Sequence, residues 1–429
     1  MKLINKIIAI SEDNLKSHHS FFVVFVLFLN FLVSNTQAQQ AGSTFPQWSP
    51  GYLDIHHINT GKGECVFCLL PDGTTLLIDA GATNRTGPRV TDIRPDNTRT
   101  PGEWIFRYIE HMLAQSTEKK LDYVVLTHFH DDHMGAFDVN APVSKSGKYK
   151  LITLTQVGET IPFNKILDRG WPDYNYPAPL VSETMKSYRA FLDEQRSTRN
   201  LLVEQFIPGR NDQITLVHKP AKYPNFEIRN IVANGIVWTG VDANTRKHIP
   251  PLPDIPERDK PSENMCSIAM RLSYGAFDYF NGGDITGVPD EGAPAWQDIE
   301  TPVAGAVGPV DVNELNHHGY LDSENAYFVS ALRPRVHIIQ AWSPSHPSPR
   351  VLRRLLSTRL YPGPRDIFAT NMMEANKTVI GGNLKKLKSD QGHIVVRVVP
   401  GGASYNVIIL EDSAETYRIK SIHGPYDSR

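Results

Sequence analysis

The stretch VVLTHFHDDHMGAF, residues 124 to 137, packs three histidines and two aspartates into six consecutive positions directly behind an aliphatic run. Such a cluster contributes little to folding, whereas imidazole and carboxylate are natural ligands of zinc and its neighbours. The aliphatic run predicts a short buried strand, and the cluster a tight loop leaving its end. On such a loop His128 and His130 can turn to one centre while Asp132 and His133 turn to a second. Two metals about 3.5–4 Å apart make a hydroxide from a shared water at neutral pH. The alternative is a solvated histidine-rich surface loop.

The flanking sequence predicts several other strand ends that deliver carboxylate or histidine. GYLDIHHINTGKGECVFCLLPDGTTLLIDAG, residues 51 to 81, predicts a hairpin turned at Asp72-Gly73 and ending at Asp79. A Gly-, Pro-, Thr- and Arg-rich loop follows, and then Ile105, Tyr108, Ile109, Met112 and Leu113 recur at helical spacing. A second helix is predicted around Met185, Tyr188 and Leu192, with strands near DQITLVH and FEIRNIVANGIVW. The charged, Pro-rich segment from Val241 to Asn264 is expected to be exposed and mobile, serving as a lid or rim. Beyond it, FNGGDITG ends a strand at Asp284, and LNHHGY ends one at His317 and His318. In SPSHPSP, Ser348 is a predicted N-cap with Pro349 at the first helical position, and GHIVVRVVPGGASYNVIILED predicts a hairpin.

HFHDDH after an apolar strand, with GTTLLIDAG, GGDITG and HHGY in order, resembles the metallo-β-lactamase fold. With SHPSPRVLRRL added, the pattern looks more narrowly like the hydrolase domains of ComEC-type competence proteins and their secreted relatives. The resemblance implies an α/β fold, a four-layer αβ/βα sandwich of two mixed β-sheets flanked by helices. It also implies two divalent ions, zinc or alternatively manganese, held by His128, His130, Asp132, His133, Asp284 and His318. Asp284 would bridge the ions, Asp79 would brace the metal loop, and Asp132 would orient the attacking hydroxide. His317 would face the substrate as a catalytic residue; which histidine of the pair is the ligand stays open, with His318 preferred. His346 would bind substrate beside a helix end. Where the family carries GQGD this chain has GKGE, so Lys62 is expected to bring a cation near the substrate. Many relatives add a histidine between the main motif and the bridging aspartate; here only His218 and His248 lie in that interval, in unconvincing contexts. Asp131 receives no role.

The expected organisation is a signal peptide over residues 1–38, a linker over 39–50, the hydrolase domain over 51–412 with an insertion at about 155–262, and a tail over 413–429. FFVVFVLFLNFLV has the length of a signal-peptide core and precedes the small residues Thr36-Gln37-Ala38, so export to the periplasm or exterior is expected, with an uncleaved anchor as the alternative. After cleavage no membrane contact is expected. The three cysteines, Cys65, Cys68 and Cys266, read as small buried hydrophobes, with a disulfide to Cys266 as the alternative. A net charge of −2 displays no cationic groove for long nucleic acid, leaving a small or short substrate as partner; the oligomeric state is not readable. The resemblance favours a secreted hydrolase of phosphate esters or phosphodiesters acting through metal-bound hydroxide. The alternatives are a lactone, β-lactam or thioester on the same site, or a metal-binding protein without turnover.

Overall fold

Residue-by-residue alternation within single strands is the pattern that sets the architecture: Val124 points into one buried apolar cluster and its neighbour Val125 into another. A strand covered on both faces must lie in an interior sheet. The computed structural model describes residues 40–114 and 119–429; the expected signal peptide lies outside the described residues. Residues 41–429 form one unit.

In the first half, strands β1 (Leu53–His57), β2 (Val66–Leu69) and β3 (Thr75–Ile78) are antiparallel neighbours, β2 and β3 turning at Asp72-Gly73 as expected. Helix α1 (Pro101–Met112) starts on a capping box between Thr100 and Glu103 and buries Ile105, Tyr108, Ile109 and Met112. Strand β4 (Leu121–Leu126) leads into the short helix α2 (Asp131–Met134), which carries the second half of the histidine cluster. Then come α3 (Thr153–Thr160), β5 (Phe163–Asp168), α4 (Glu183–Arg199) and β6 (Leu202–Gln205).

The second half holds β7 (Phe226–Ala233), β8 (Ile236–Trp238), β9 (Thr245–Lys247), β10 (Ala269–Tyr274) and β11 (Phe277–Asn281). Helix α5 (Glu300–Val307), β12 (Val312–Glu314), α6 (Ala326–Leu332), β13 (Val336–Ile339), α7 (Pro349–Leu355), β14 (Asp366–Ala369), α8 (Glu374–Ile380) and β15 (Leu387–Ser389) follow. The chain ends with β16 (His393–Val398), β17 (Ser404–Leu410) and β18 (Ile419–Asp427).

Two nine-stranded mixed sheets result, in the orders β18-β17-β16-β1-β2-β3-β4-β5-β6 and β15-β14-β13-β12-β11-β10-β7-β8-β9. Leu53, Ile55, Leu76 and Val125 of the first sheet meet Leu272, Tyr279, Val312 and Phe368 of the second in the central cluster. The outer face of the first sheet packs on α1, α3 and α4, and that of the second on α5 and α6 at one end and α7 and α8 at the other. This is the four-layer sandwich of the metallo-β-lactamase fold.

Three expectations need correction. The segment at 155–262 supplies β5 and β6 to one sheet and β7 to β9 to the other, so it is woven into both layers. The expected tail at 413–429 contains β18, which pairs with β17 from Ser404 to Leu410. DQITLVH is irregular: its Thr215, Val217 and His218 amides donate to the side chains of Tyr123, Thr74 and Asp72 instead of to a ladder, while the Gln213 side chain bridges Glu204, the Gln205 carbonyl and the Ile207 amide. The reading of the cysteines as small buried hydrophobes holds, since Cys65, Cys68 and Cys266 are all free and buried and the alternative disulfide does not form. Among the described residues no helix is long and apolar enough to cross a membrane.

The sheet between the termini of the unit is locked by Arg397, whose guanidinium donates to both Asp54 oxygens at 2.8 and 2.6 Å with the pair almost fully buried. Removing one partner leaves an uncompensated buried charge. Arg397→Met is therefore expected to lower unfolding free energy by about 3–5 kcal/mol, measured by denaturant titration; a loss within the range of a surface substitution would contradict the role given to the pair.

Candidate metal centre

Every functional side chain sits where a strand of one sheet or the other runs out, the place where open α/β sheets bind ligands. The first sheet contributes through β1–β2, β3 and β4, and the second through β11, β12 and β13. At the end of β3, Asp79 takes a left-handed φ of 56°. Its carboxylate accepts from the Thr127 amide at 2.8 Å, the Thr127 hydroxyl at 2.6 Å and His133 Nδ1 at 2.7 Å. Asp79 thus fixes His133 with Nε2 directed away from it, the bracing that a ligand histidine needs.

Backbone contacts join the turn after β1 to the histidine loop. The Glu64 amide donates to the Asp132 carbonyl at 2.8 Å, the Gly81 amide to the Glu64 carbonyl at 2.8 Å, and the Ala80 amide to the His133 carbonyl at 3.0 Å. A Cβ on Gly81 would lie 1.7 Å from the Asp132 carbonyl oxygen, and one on Gly63 2.4 Å from it. Glycine in GKGE and in DAG is therefore required by the close approach of three chain segments. Asp131, which had no role, lends its carbonyl to the Ala82 and Gly135 amides and its side chain to the wall of the cleft.

Two ligand groups emerge, each with its candidate atoms within 4.8 Å of one another: His128, His130 and Asp284 in one, and Glu64, His133, Asp284 and His318 in the other. Asp284 belongs to both. Its Oδ2 lies 3.5 Å from His128 Nε2, and its Oδ1 3.2 Å from His133 Nε2 and 3.8 Å from His318 Nε2. Asp132 reaches His318 Nε2 at 3.1 Å. The residues fit cations: Glu64 Oε1 and Oε2, His133 Nε2 and Asp284 Oδ1 are buried and lack a hydrogen-bond partner. Buried carboxylates without a donor are costly unless a cation or a proton compensates them. Burial, reinforced by the negative charge of Glu314, pushes the Glu64 carboxyl well above its usual range. Burial acts in the same sense on Asp132, but the His133 and His318 imidazoles outweigh it and hold that carboxyl below the usual range.

His317 and His318 both adopt left-handed backbone, with φ of 45° and 54°, and this turn splits their roles. His318 is buried among the ligands, while His317 faces the cleft with Nδ1 2.7 Å from Asp322 and Nε2 3.3 Å from the Asn264 amide nitrogen. Burial lowers the His317 pKa, but Asp284 and Asp322 outweigh it and raise the pKa to about 9. His346 stacks on His318, with ring centres 4.8 Å apart at 22°, and burial followed by the two neighbouring histidines keeps it neutral.

The cleft above the ligands has a volume of about 960 Å³. Arg85, Arg89, Trp342, Ser343, Ser345 and His346 line it, with the Arg85 guanidinium against the Trp342 ring. Lys62, expected to face the substrate, is turned aside: its Nζ donates to the Arg85 carbonyl at 2.8 Å. The expected cation is supplied instead by the arginines of the loop after Gly81, whose composition was visible as an Arg-rich run without indicating where it folds. The segment expected as a mobile lid is anchored where it meets the site. Glu263 accepts from the Phe129 amide, between His128 and His130, at 2.8 Å and pairs with the fully buried Arg169. His218 and His248 belong to neither ligand group; they lie against Asp122 and the Asp298 carbonyl. Glu64, Arg169 and Glu263 carry no signal in a single sequence beyond the proximity of Glu64 to the glycine turn.

Glu64→Gln separates a ligand role from a packing role. Zinc affinity by competitive chelator titration is expected to drop about 10–100-fold, while thermal unfolding of the chelator-stripped chain occurs no earlier than in the wild type, because a desolvated carboxylate has been removed. Unchanged affinity with a lower unfolding temperature would assign Glu64 to packing.

Residues 65–139 match the sequence family described as the Metallo-beta-lactamase superfamily. No curated protein matches the chain. Among solved structures, the chain is similar to a mutant of CmlA beta-hydroxylase at 12% identity and a TM-score of 0.39, covering 82% of this chain and 55% of that one. It thus spans about half of that protein's length. It is also similar to Zn(2+)-bound PqqB from Methylobacterium extorquens (10% identity, TM-score 0.32, 67% of this chain and 88% of that one). A third is the short form of human tRNase Z (12% identity, TM-score 0.29, 66% and 91%). Residues 65–139, with the histidine loop near their carboxyl end, thus match the Metallo-beta-lactamase superfamily model and contribute strands β2 to β4 to the first of the two sheets.

Proposed function

We propose that this protein is an exported metal-dependent hydrolase of phosphate esters or phosphodiesters. The observation that carries the reading is Asp284, shared by two ligand groups at the floor of an open cleft whose rim bears arginines. The likeness of the sequence to ComEC-type hydrolase domains supports the phosphoryl class, and the apolar amino-terminal stretch supports export. Two divalent ions, zinc or manganese, would be held by His128, His130 and Asp284 on one side and by His133, Asp284 and His318, with Glu64 and Asp132, on the other. Bound there, they would supply an activated water and neutralise charge developing on the substrate.

The chain's own groups do the rest. Asp132, ionised by its histidine neighbours, can hold a water by accepting its proton in a hydrogen bond. His317 presents Nε2 to the cleft while Asp322 holds Nδ1, so it can deliver a proton to a departing oxygen. Glu263 keeps the histidine loop in place and Asp322 keeps His317 in place, which limits the loss of rate that misplaced groups cause. The same floor acting on a carbonyl carbon in a lactone, β-lactam or thioester is the second reading.

Zinc- or manganese-loaded chain is expected to hydrolyse bis-p-nitrophenyl phosphate and to leave a chromogenic cephalosporin intact. Asp284→Asn is expected to reduce the phosphodiester rate by at least about 10²-fold with an unchanged circular dichroism spectrum. Turnover of the cephalosporin alone would favour the carbon-centred reading, and full activity in Asp284→Asn would remove the assignment.

A further inference from the structure

The cleft offers more than its metal floor. Arg85 and Arg89 lie on its wall, exposed, and neither forms an ion pair among the described residues. The Arg85 guanidinium is poised 6.0 Å from the centre of the Trp342 ring, and its field reaches Asp131 lower in the same cleft. Two arginines without a counter-ion that line one cleft give it a cationic rim, which an anion entering the cleft would neutralise.

The loop that carries them is held rigidly for an exposed segment. The Thr83 amide donates to the Lys62 carbonyl at 3.0 Å and Lys62 Nζ donates back to the Arg85 carbonyl at 2.8 Å. The Arg85 amide donates to Thr83 Oγ1 at 3.2 Å. At the far end the Thr91 amide donates to the Trp342 carbonyl at 3.1 Å, and the Thr91 hydroxyl donates to the Gly61 carbonyl. Thus the arginine loop is tied both to the turn that bears Glu64 and to the Trp342 segment, which forms the adjoining part of the cleft wall. That wall presents the hydroxyls of Ser343 and Ser345, 3.2 Å apart, which can complete the coordination of an anion oxygen. A preorganised cationic rim costs less to engage than free side chains.

We propose that Arg85 and Arg89, with the Ser343–Ser345 turn that lines the same cleft, form an anion subsite, so that the preferred substrate carries a second negative group flanking the ester that is cleaved. The proposal rests on the phosphoryl reading of the floor and specifies it. Single-charge diesters would be accepted there but recognised by the floor alone, whereas an ester with a neighbouring phosphate spans floor and rim. The volume of about 960 Å³ accommodates a ligand of that size.

The test reads binding. The full chain loaded with zinc is titrated calorimetrically with the phosphorothioate diester of dithymidine, with and without a terminal phosphate, at low and high salt. Wild type is expected to bind the terminally phosphorylated compound about tenfold more tightly at low salt, the gain of a charge-assisted contact, with the difference shrinking at high salt. The double variant Arg85→Ala, Arg89→Ala is expected to bind both compounds alike, and Arg85→Lys, Arg89→Lys to keep part of the preference. No preference in wild type overturns the subsite, and so does a preference that survives the double alanine change, since the metal floor would then be its source. Turnover of bis-p-nitrophenyl phosphate by wild type is read in parallel: its absence sinks the phosphoryl reading, while its presence without a preference sinks only the subsite.

Discussion

Asp284 rises from one sheet and faces His128 and His133, which rise from the other, as well as His318 from the next strand of its own sheet. A carboxylate about 1% exposed, within 3.2–3.8 Å of imidazoles from two strand ends, holds only if both sheets stop at the same level. The central apolar cluster fixes that level, because strands buried on both faces cannot slip by one residue without inverting their side chains. Around Asp284, the burial of Glu64 and Asp79 and the partial burial of Asp132 would be unfavourable without compensating positive charge. The braces from Asp79, Asp322 and Glu263 are therefore parts of the same construction: each fixes one member of a charge cluster that must be held in place to be tolerated at all.

What could be read in the sequence is what local pattern controls. The run before His128 gave its strand, Asp72-Gly73 its turn, Ser348 its cap, and the spacing of Ile105, Tyr108 and Met112 a helix. The histidine loop, Asp284 and the paired histidines converge because each follows a strand end, and strand ends gather on one edge of the sandwich. What could not be read depends on contacts between segments distant in sequence. Glu64 reaches the site because Gly63 and Gly81 let three segments touch. Lys62 looked like the nearby cation, yet its ammonium is used on a carbonyl and Arg85 and Arg89 occupy the wall it was expected to serve. The strand at Ile419–Asp427 is partly exposed and breaks its register twice against β17, so its alternation is weak. DQITLVH has the composition of a strand but its amides are committed to side chains of other segments.

The division between floor and rim explains how one fold can serve different chemistries. The floor is built from strand ends and is stiff. The rim is built from the arginine loop and the Trp342–His346 turn, which could differ in length and charge without disturbing the ligands. Even so, both rim segments are tied to the floor, one through Lys62 and Thr91 and the other through the stacking of His346 on His318.

The central claim is a two-centre site that shares Asp284. Anomalous diffraction from crystals of the zinc-loaded chain tests it directly. The account predicts two zinc peaks, one against His128 and His130 and one against His133 and His318, with an Asp284 oxygen directed at each. A single peak, or two peaks of which one lies away from Asp284, would contradict it.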